Sequence, residues 1–185
     1  MPQLAHIAET EIKEILMLKE RLSLIDSQEK CKQSFLEYIR YIWPGFIEGD
    51  HHRIIAKKLT EVAQGKCKRL IVNMPPRHTK SEFASVYFPS WIMGLKPQMK
   101  IMQTTHTADL SINFGRKVRN LMDTQEYINI FPSVSLAADS KSAGKWQTSS
   151  GGEYFAAGVG GAIAGRGADL LIIDDPHSEQ DALSP

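Results

Sequence analysis

Apolar residues recur at helical spacing through the first third of the chain. Ile12, Ile15, Leu16, Leu22 and Ile25 stand among Glu and Lys over 7–25, which predicts an amphipathic helix. Asp26, with Glu29 three residues on, predicts the start of a second helix. Its Phe35, Leu36, Ile39, Ile42 and Trp43 share one face, and Pro44-Gly45 stops it. A third helix is predicted over 51–64, with Asp50 as cap, Ile54, Ile55, Leu59 and Val62 inward, and Gly65 as the stop. The period then changes. Short apolar runs at 69–74, 100–104 and 170–173 read as buried strands. Between them lie a helix from Lys80 to about Ile92, bent or ended near Pro89, and a helix marked by Leu110, Phe114, Val118 and Leu121. A short helical turn is expected from Thr124, and 145–149 with 153–157 suit a hairpin around Ser150-Gly151-Gly152. Strands alternating with helices predict an α/β fold, a mostly parallel sheet with helices on both faces, preceded by N-terminal helices.

Composition narrows the class. The 185 residues are 42% hydrophobic and 23% charged, as in an ordinary globular domain. A formal charge of +1 excludes a polycation, so any nucleic-acid contact must come from local patches. Lys57, Lys58, Lys66, Lys68 and Arg69 form one such patch, and Arg116, Lys117 and Arg119 another; solvated helix faces are the simpler reading of both, contact with DNA phosphate or a neighbouring subunit the functional one. Cys31 and Cys67 are too few and too far apart for a disulfide scaffold or a zinc site, which suits a reducing cytoplasm. No apolar run approaches the roughly 20 residues of a membrane span, and the N-terminus lacks a signal-peptide pattern.

The chemistry concentrates at two places. Pro75, Pro76, Arg77, His78, Thr79, Lys80 and Ser81 lie between a predicted strand and a predicted helix. A helix N-terminus there offers free N–H groups to an anion. Lys80 can reach the terminal phosphates of a nucleotide and Ser81 can place its hydroxyl on Mg²⁺. The stretch departs from G-x-x-x-x-G-K-[ST], because Met74 and Thr79 stand where the glycines would be, and Arg77 adds a charge. A plain strand-to-helix turn is the competing reading. The second place is Asp174-Asp175, closing the strand at 170–173, where ligands of open parallel sheets bind. Asp174 suits Mg²⁺, and Asp175 or Glu179 suits the acid that polarises attacking water. The run 158–167 precedes a strand rather than a helix, so it is read as a mobile loop carrying Arg166, a candidate arginine finger for a neighbouring subunit.

In order, Asp50-His51-His52-Arg53, RLIVNMPPRHTKS (69–81), Phe88-Pro89-Ser90-Trp91 with Gly94, Phe131-Pro132, Gly151-Gly152-Glu153-Tyr154, GVGGAIAGRG (158–167) and ADLLIIDDP (168–176) resemble the large terminase subunit of tailed bacteriophages over about 35–185. The resemblance implies a RecA-like P-loop ATPase domain over 50–185, behind an N-terminal helical segment 1–49. It implies hydrolysis of ATP with Mg²⁺ to drive double-stranded DNA into a procapsid. It implies as partners a portal protein, a small terminase subunit and copies of itself in a ring, in the cytoplasm of the infected host. Arg77, Lys80 and Ser81 match its phosphate-loop positions and Asp174 its Mg²⁺ aspartate. Asp175 stands where many members carry a catalytic glutamate, which leaves Glu179 as the substitute. Arg166 falls in the region of the trans-acting finger, and His51, His52 and Arg53 where adenine-side contacts begin. The nuclease part has no counterpart, and the chain stops abruptly for such a sheet, so truncation is expected. A helicase-like translocase, marked by stimulation with single strands, and a fragment that binds nucleotide or partners without turnover are the alternatives.

Overall fold

A computed structural model describes residues 2–178 other than 139, 141, 162 and 164, with side chains from residue 11 onward. Glu179 lies outside the described residues. The opening helical pattern is one helix, not two: α1 runs Pro2–Gln33 straight through Asp26. Asp26 does not cap; it pairs with Lys30 one turn on, at 2.6 Å, inside the same helix. The break falls at Ser34, whose Oγ accepts the Glu37 N–H (3.4 Å) and caps α2, Phe35–Ile42.

Helix α3, Asp50–Ala63, starts after Gly49 rather than after Asp50. Its inward face is His52, Ile55, Ala56, Leu59 and Ala63, a 3–4 spacing. Ile54, expected inside, is off that face and 64% exposed. The segment 69–74 is also not a strand. Leu70, Val72 and Met74 are half-buried against the core while Ile71 is 85% exposed. The side chains therefore alternate as in a strand, yet no backbone hydrogen bond joins 70–74 to another described residue. Among the described residues the outer edge of the edge strand at 170–173 is open, but 70–74 makes no backbone bond to it, and without that ladder the segment is not a strand.

Lys80 and Ser81 open a helical stretch that passes through a π-helical turn, Glu82–Tyr87, into α4, Phe88–Leu95. Pro89 does not end it: Pro89 falls at the start of α4, where the wide turn has already shifted the bonding, and Phe88 N–H donates to Phe83 O. Strand β1, Lys100–Thr105, is followed by α5, Ala108–Met122, and α6, Gln125–Ile130, capped by Thr107 and Thr124. The expected hairpin forms as β2, Lys145–Gln147, antiparallel to β3, Glu153–Gly158. Strand β4 is Leu170–Ile173, as the apolar run indicates.

The four-stranded open sheet has the order β2-β3-β1-β4 and is mixed. β1 pairs in parallel with β3 (Ile101 opposite Tyr154) and with β4 (Ile101 opposite Leu170). One face carries Ile101, Gln103 and Thr105 with Tyr154, Ala156, Leu170 and Ile172. Helix α5 lies on it: Ser111 Oγ is 2.9 Å from Thr105 Oγ1, and Gly115 leaves no room for a side chain beside the Tyr154 ring. On the opposite face Leu171 and Ile173 of the edge strand are more than half exposed, while Met102, Thr104 and Ala157 nearer the centre are buried. The aromatic core joins both ends of the chain. Trp91 Nε1–H donates to Cys31 O (2.7 Å), Tyr38 OH lies 2.7 Å from Ser90 Oγ, and Trp146 stacks on Tyr154 with centroids 4.9 Å apart. Among the described residues no helix is long and apolar enough to cross a membrane.

Candidate functional site

Because β1, β3 and β4 are parallel, their carboxyl ends share one edge, and residues just past those ends meet the loop before the π-helical turn. Asp174 continues the β4 alternation onto the helix-covered face. Its N–H donates to Thr104 O (2.9 Å), and its side chain is buried, with Oδ2 accepting from Ser85 Oγ (2.8 Å). Asp175 turns the chain at φ 43°, where its own carbonyl accepts the His106 N–H (3.1 Å). Lys80 Nζ reaches Asp174 Oδ1 at 3.3 Å and donates to Asp175. Residues 80 and 174, 94 apart in the chain, are thus in contact. Burial pulls the Lys80 pKa down, but the hydrogen bond it donates to Asp175 and the charges of both aspartates outweigh this and hold it above its ordinary value. Lys80 is a cation at any working pH.

The loop 75–81 lines an open cavity of about 380 Å³, with Asp175 also in its wall. Two of its residues are left-handed: Arg77 at φ 63° and Thr79 at φ 61°. That conformation is ordinary for glycine and costs a β-branched residue about 1–3 kcal/mol. Thr79 stands at one of the places where glycine is missing, and the structure shows what holds it there. Gly49 N–H donates to His52 Nδ1 (2.9 Å). His52 Nε2 is 2.7 Å from Thr79 Oγ1, which donates to His78 O (2.6 Å). With Nδ1 accepting, the proton sits on Nε2 and is donated to Thr79. Only the neutral ring satisfies the chain. Burial, then the neighbouring His51, lowers the His52 pKa from its ordinary 6.5. Packing against Phe46 and Phe83, with ring centroids at 4.8 and 5.0 Å, fixes the ring plane.

His52→Leu is expected to fill the apolar site, lose both bonds and release Thr79. His52→Gln can keep one acceptor and one donor without a titrating ring. A depressed imidazole pKa stabilises the fold above the ordinary value and is lost as pH falls through the lowered one. Urea midpoints measured from about pH 5 to about pH 8 are therefore expected to fall on the acid side in wild type. They are expected to be flatter in His52→Gln and low throughout in His52→Leu. Identical profiles for the three proteins would contradict the arrangement.

The predicted residues divide. Pro76, Arg77, His78, Thr79, Lys80 and Ser81 line the cavity, with Arg77 and His78 exposed. His51 packs its ring 3.8 Å from His52 and 5.6 Å from His78, although adjacent helix positions diverge. Arg53 does not line the cavity; it pairs with Glu48 (2.5 Å) and Asp50 (2.8 Å). Arg166 lies over the Phe155 ring, 4.0 Å from its centre, and 3.9 Å from Glu153 at the amino end of β3. It is therefore on the sheet face opposite α5, away from the carboxyl edge that holds Lys80. Of the basic patches, Lys58 pairs with Glu61 (2.8 Å) and Lys117 with Glu82 (2.6 Å).

Ser85 and the bracing role of His52 are not evident from the sequence. Ser85 has a signal in hindsight, since it follows Ser81 by one turn of a helix that opens at the loop. Among the described residues no group of three or more His, Cys, Asp or Glu side chains could hold a metal. The oxygens present, a Ser81 hydroxyl and an Asp174 carboxylate, suit a hard cation that takes its remaining ligands from phosphate and water. No protein-family model matches the chain, and no curated protein or solved structure does either.

Proposed function

We propose that this chain is a P-loop ATPase, the motor domain of a phage large terminase subunit that packages double-stranded DNA. The observation that carries the reading is the contact between Lys80, at the first turn of a helix, and the Asp174-Asp175 pair, at the carboxyl end of a parallel strand, beside an open cavity. A helix N-terminus and a fixed cation paired with two carboxylates, one of them in the wall of the same space, suit triphosphate hydrolysis. Lys80 and Arg77 would neutralise phosphate charge. Ser81 and Asp174 would hold Mg²⁺, which when bound supplies charge to the phosphate oxygens. Ser85 keeps the Asp174 carboxylate turned toward the loop.

Asp175, or Glu179, would accept a proton from water as its oxygen attacks the γ-phosphorus. The bond to the β,γ-bridging oxygen breaks, and ADP and phosphate leave. Lys80 occupies both aspartates in the structure, so nucleotide would have to draw the ammonium toward phosphate and free Asp175 for water. Arg166 would act only on a neighbouring copy. Portal, small subunit and DNA remain partners of this reading.

Calorimetry with ATP, with and without Mg²⁺, alongside phosphate release tests it. Binding strengthened by Mg²⁺ and followed by release is expected. Absence of nucleotide binding would sink the reading. Binding without release would favour a nucleotide-binding module, and stimulation by single strands a helicase-like translocase.

A further inference from the structure

Over residues 11–26, α1 stands clear of the core: every side chain there is exposed. Ile15, Leu18, Leu22 and Ile25 are 53%, 57%, 65% and 55% exposed. Their spacing of three, four and three places them in one narrow stripe, the a and d positions of two heptads. A helix of this length in water gains little from propensity alone, and an aliphatic stripe of this kind is ordinarily covered.

The flanks say by what. With Ile15 and Leu22 at a, the g positions are Glu14 and Arg21, and the e positions are Lys19 and Asp26. In a parallel pair of identical helices, each g faces the e five residues on in the other chain. Glu14 then faces Lys19 of the second copy, and Arg21 faces Asp26. Both pairs are opposite in charge, and each occurs twice. The antiparallel arrangement centred on the same four residues brings Lys19 beside Lys19. The chain's own contacts leave these groups available: Asp26 is engaged only within its helix, with Lys30, and both side chains are about 60% exposed.

We infer that residues 11–26 of α1 are a dimerisation helix that pairs in parallel and in register with α1 of a second copy. Isoleucine and leucine at a with leucine and isoleucine at d fill the seam, and the g–e charges set direction. Two heptads make a weak coiled coil, so association depends on concentration. The surface is separate from the cavity around Lys80 and does not depend on what that cavity binds.

Sedimentation equilibrium on the whole chain is expected to show a species of about twice 20.7 kDa that grows with concentration. A single 20.7 kDa species up to about 1 mM would overturn the inference. Glu14→Lys and Lys19→Glu should each raise the dimer Kd about tenfold, and the double swap should restore it. Failure of the swap to restore would overturn the charge pairing. Leu18→Glu should leave a folded monomer with an unchanged thermal transition; a persisting dimer would place the interface elsewhere. Ile25→Cys in a Cys67→Ser background should cross-link to itself under mild oxidation, and absence of that cross-link would overturn the parallel register.

Discussion

Lys80→Ala is expected to lower ATP turnover by about 10³-fold or more, because it removes a preorganised cation from the place where phosphate charge develops. The ammonium reaches Asp174 at 3.3 Å and bonds Asp175. Its loss leaves Asp175 in the cavity wall and the buried Asp174 beside it without the cation that pairs them, so MgATP binding should weaken together with turnover. Lys80→Arg is not expected to rescue, since a planar fork cannot occupy the point-charge position between two aspartates and a phosphate. Steady-state phosphate release and calorimetric binding measure both effects. Unchanged turnover would remove Lys80 from the reaction and with it the proposed function.

Trp91→Ala is expected to cost about 3–5 kcal/mol, the range for removing a fully buried large aromatic side chain. Trp91 is 1% exposed, and its centroid lies 5.4 Å from Phe35 and 6.4 Å from Phe88. Its indole N–H is the group that satisfies Cys31 O near the end of α1. Truncation therefore opens a cavity and also leaves a buried acceptor unpaired. Urea unfolding should show the full loss, with a fall in melting temperature of roughly 10 °C. Trp43→Ala, which removes a half-buried ring stacked 5.1 Å from Tyr87, serves as the smaller comparison. A Trp91→Ala cost under about 1 kcal/mol would contradict the packing of α1 against α4.

What the residues disclosed in advance depended on whether their signal was local. Leu170–Ile173 and Lys100–Thr105 are short apolar runs with clear ends, and both are strands. The run 69–74 has the same composition but no partner strand, and pairing is a tertiary fact that composition does not carry. Asp26 was misleading because capping residues are also ordinary helix-surface residues when a lysine sits one turn away. The helix does not end at Pro89 because the proline falls in the first turn of α4, just after the π-turn, where a missing N–H is tolerated. The contact at the candidate site was readable: Lys80 and Asp174 meet as their order along the chain suggests. Thr79 read as a defect in the loop, since nothing in its neighbourhood announces that His52, 27 positions earlier, will brace it.

The bare backbone of 70–74 shapes how the cavity behaves. Its amides have no cross-strand bond to protect them, so deuterium should enter there long before it enters β1. One wall of the cavity thus hangs from a tether that opens readily, while the other is built into a helix and a braced threonine. Anything that settles against the loop must spend part of its affinity quieting that tether, and slowed isotope uptake at those amides would register its arrival.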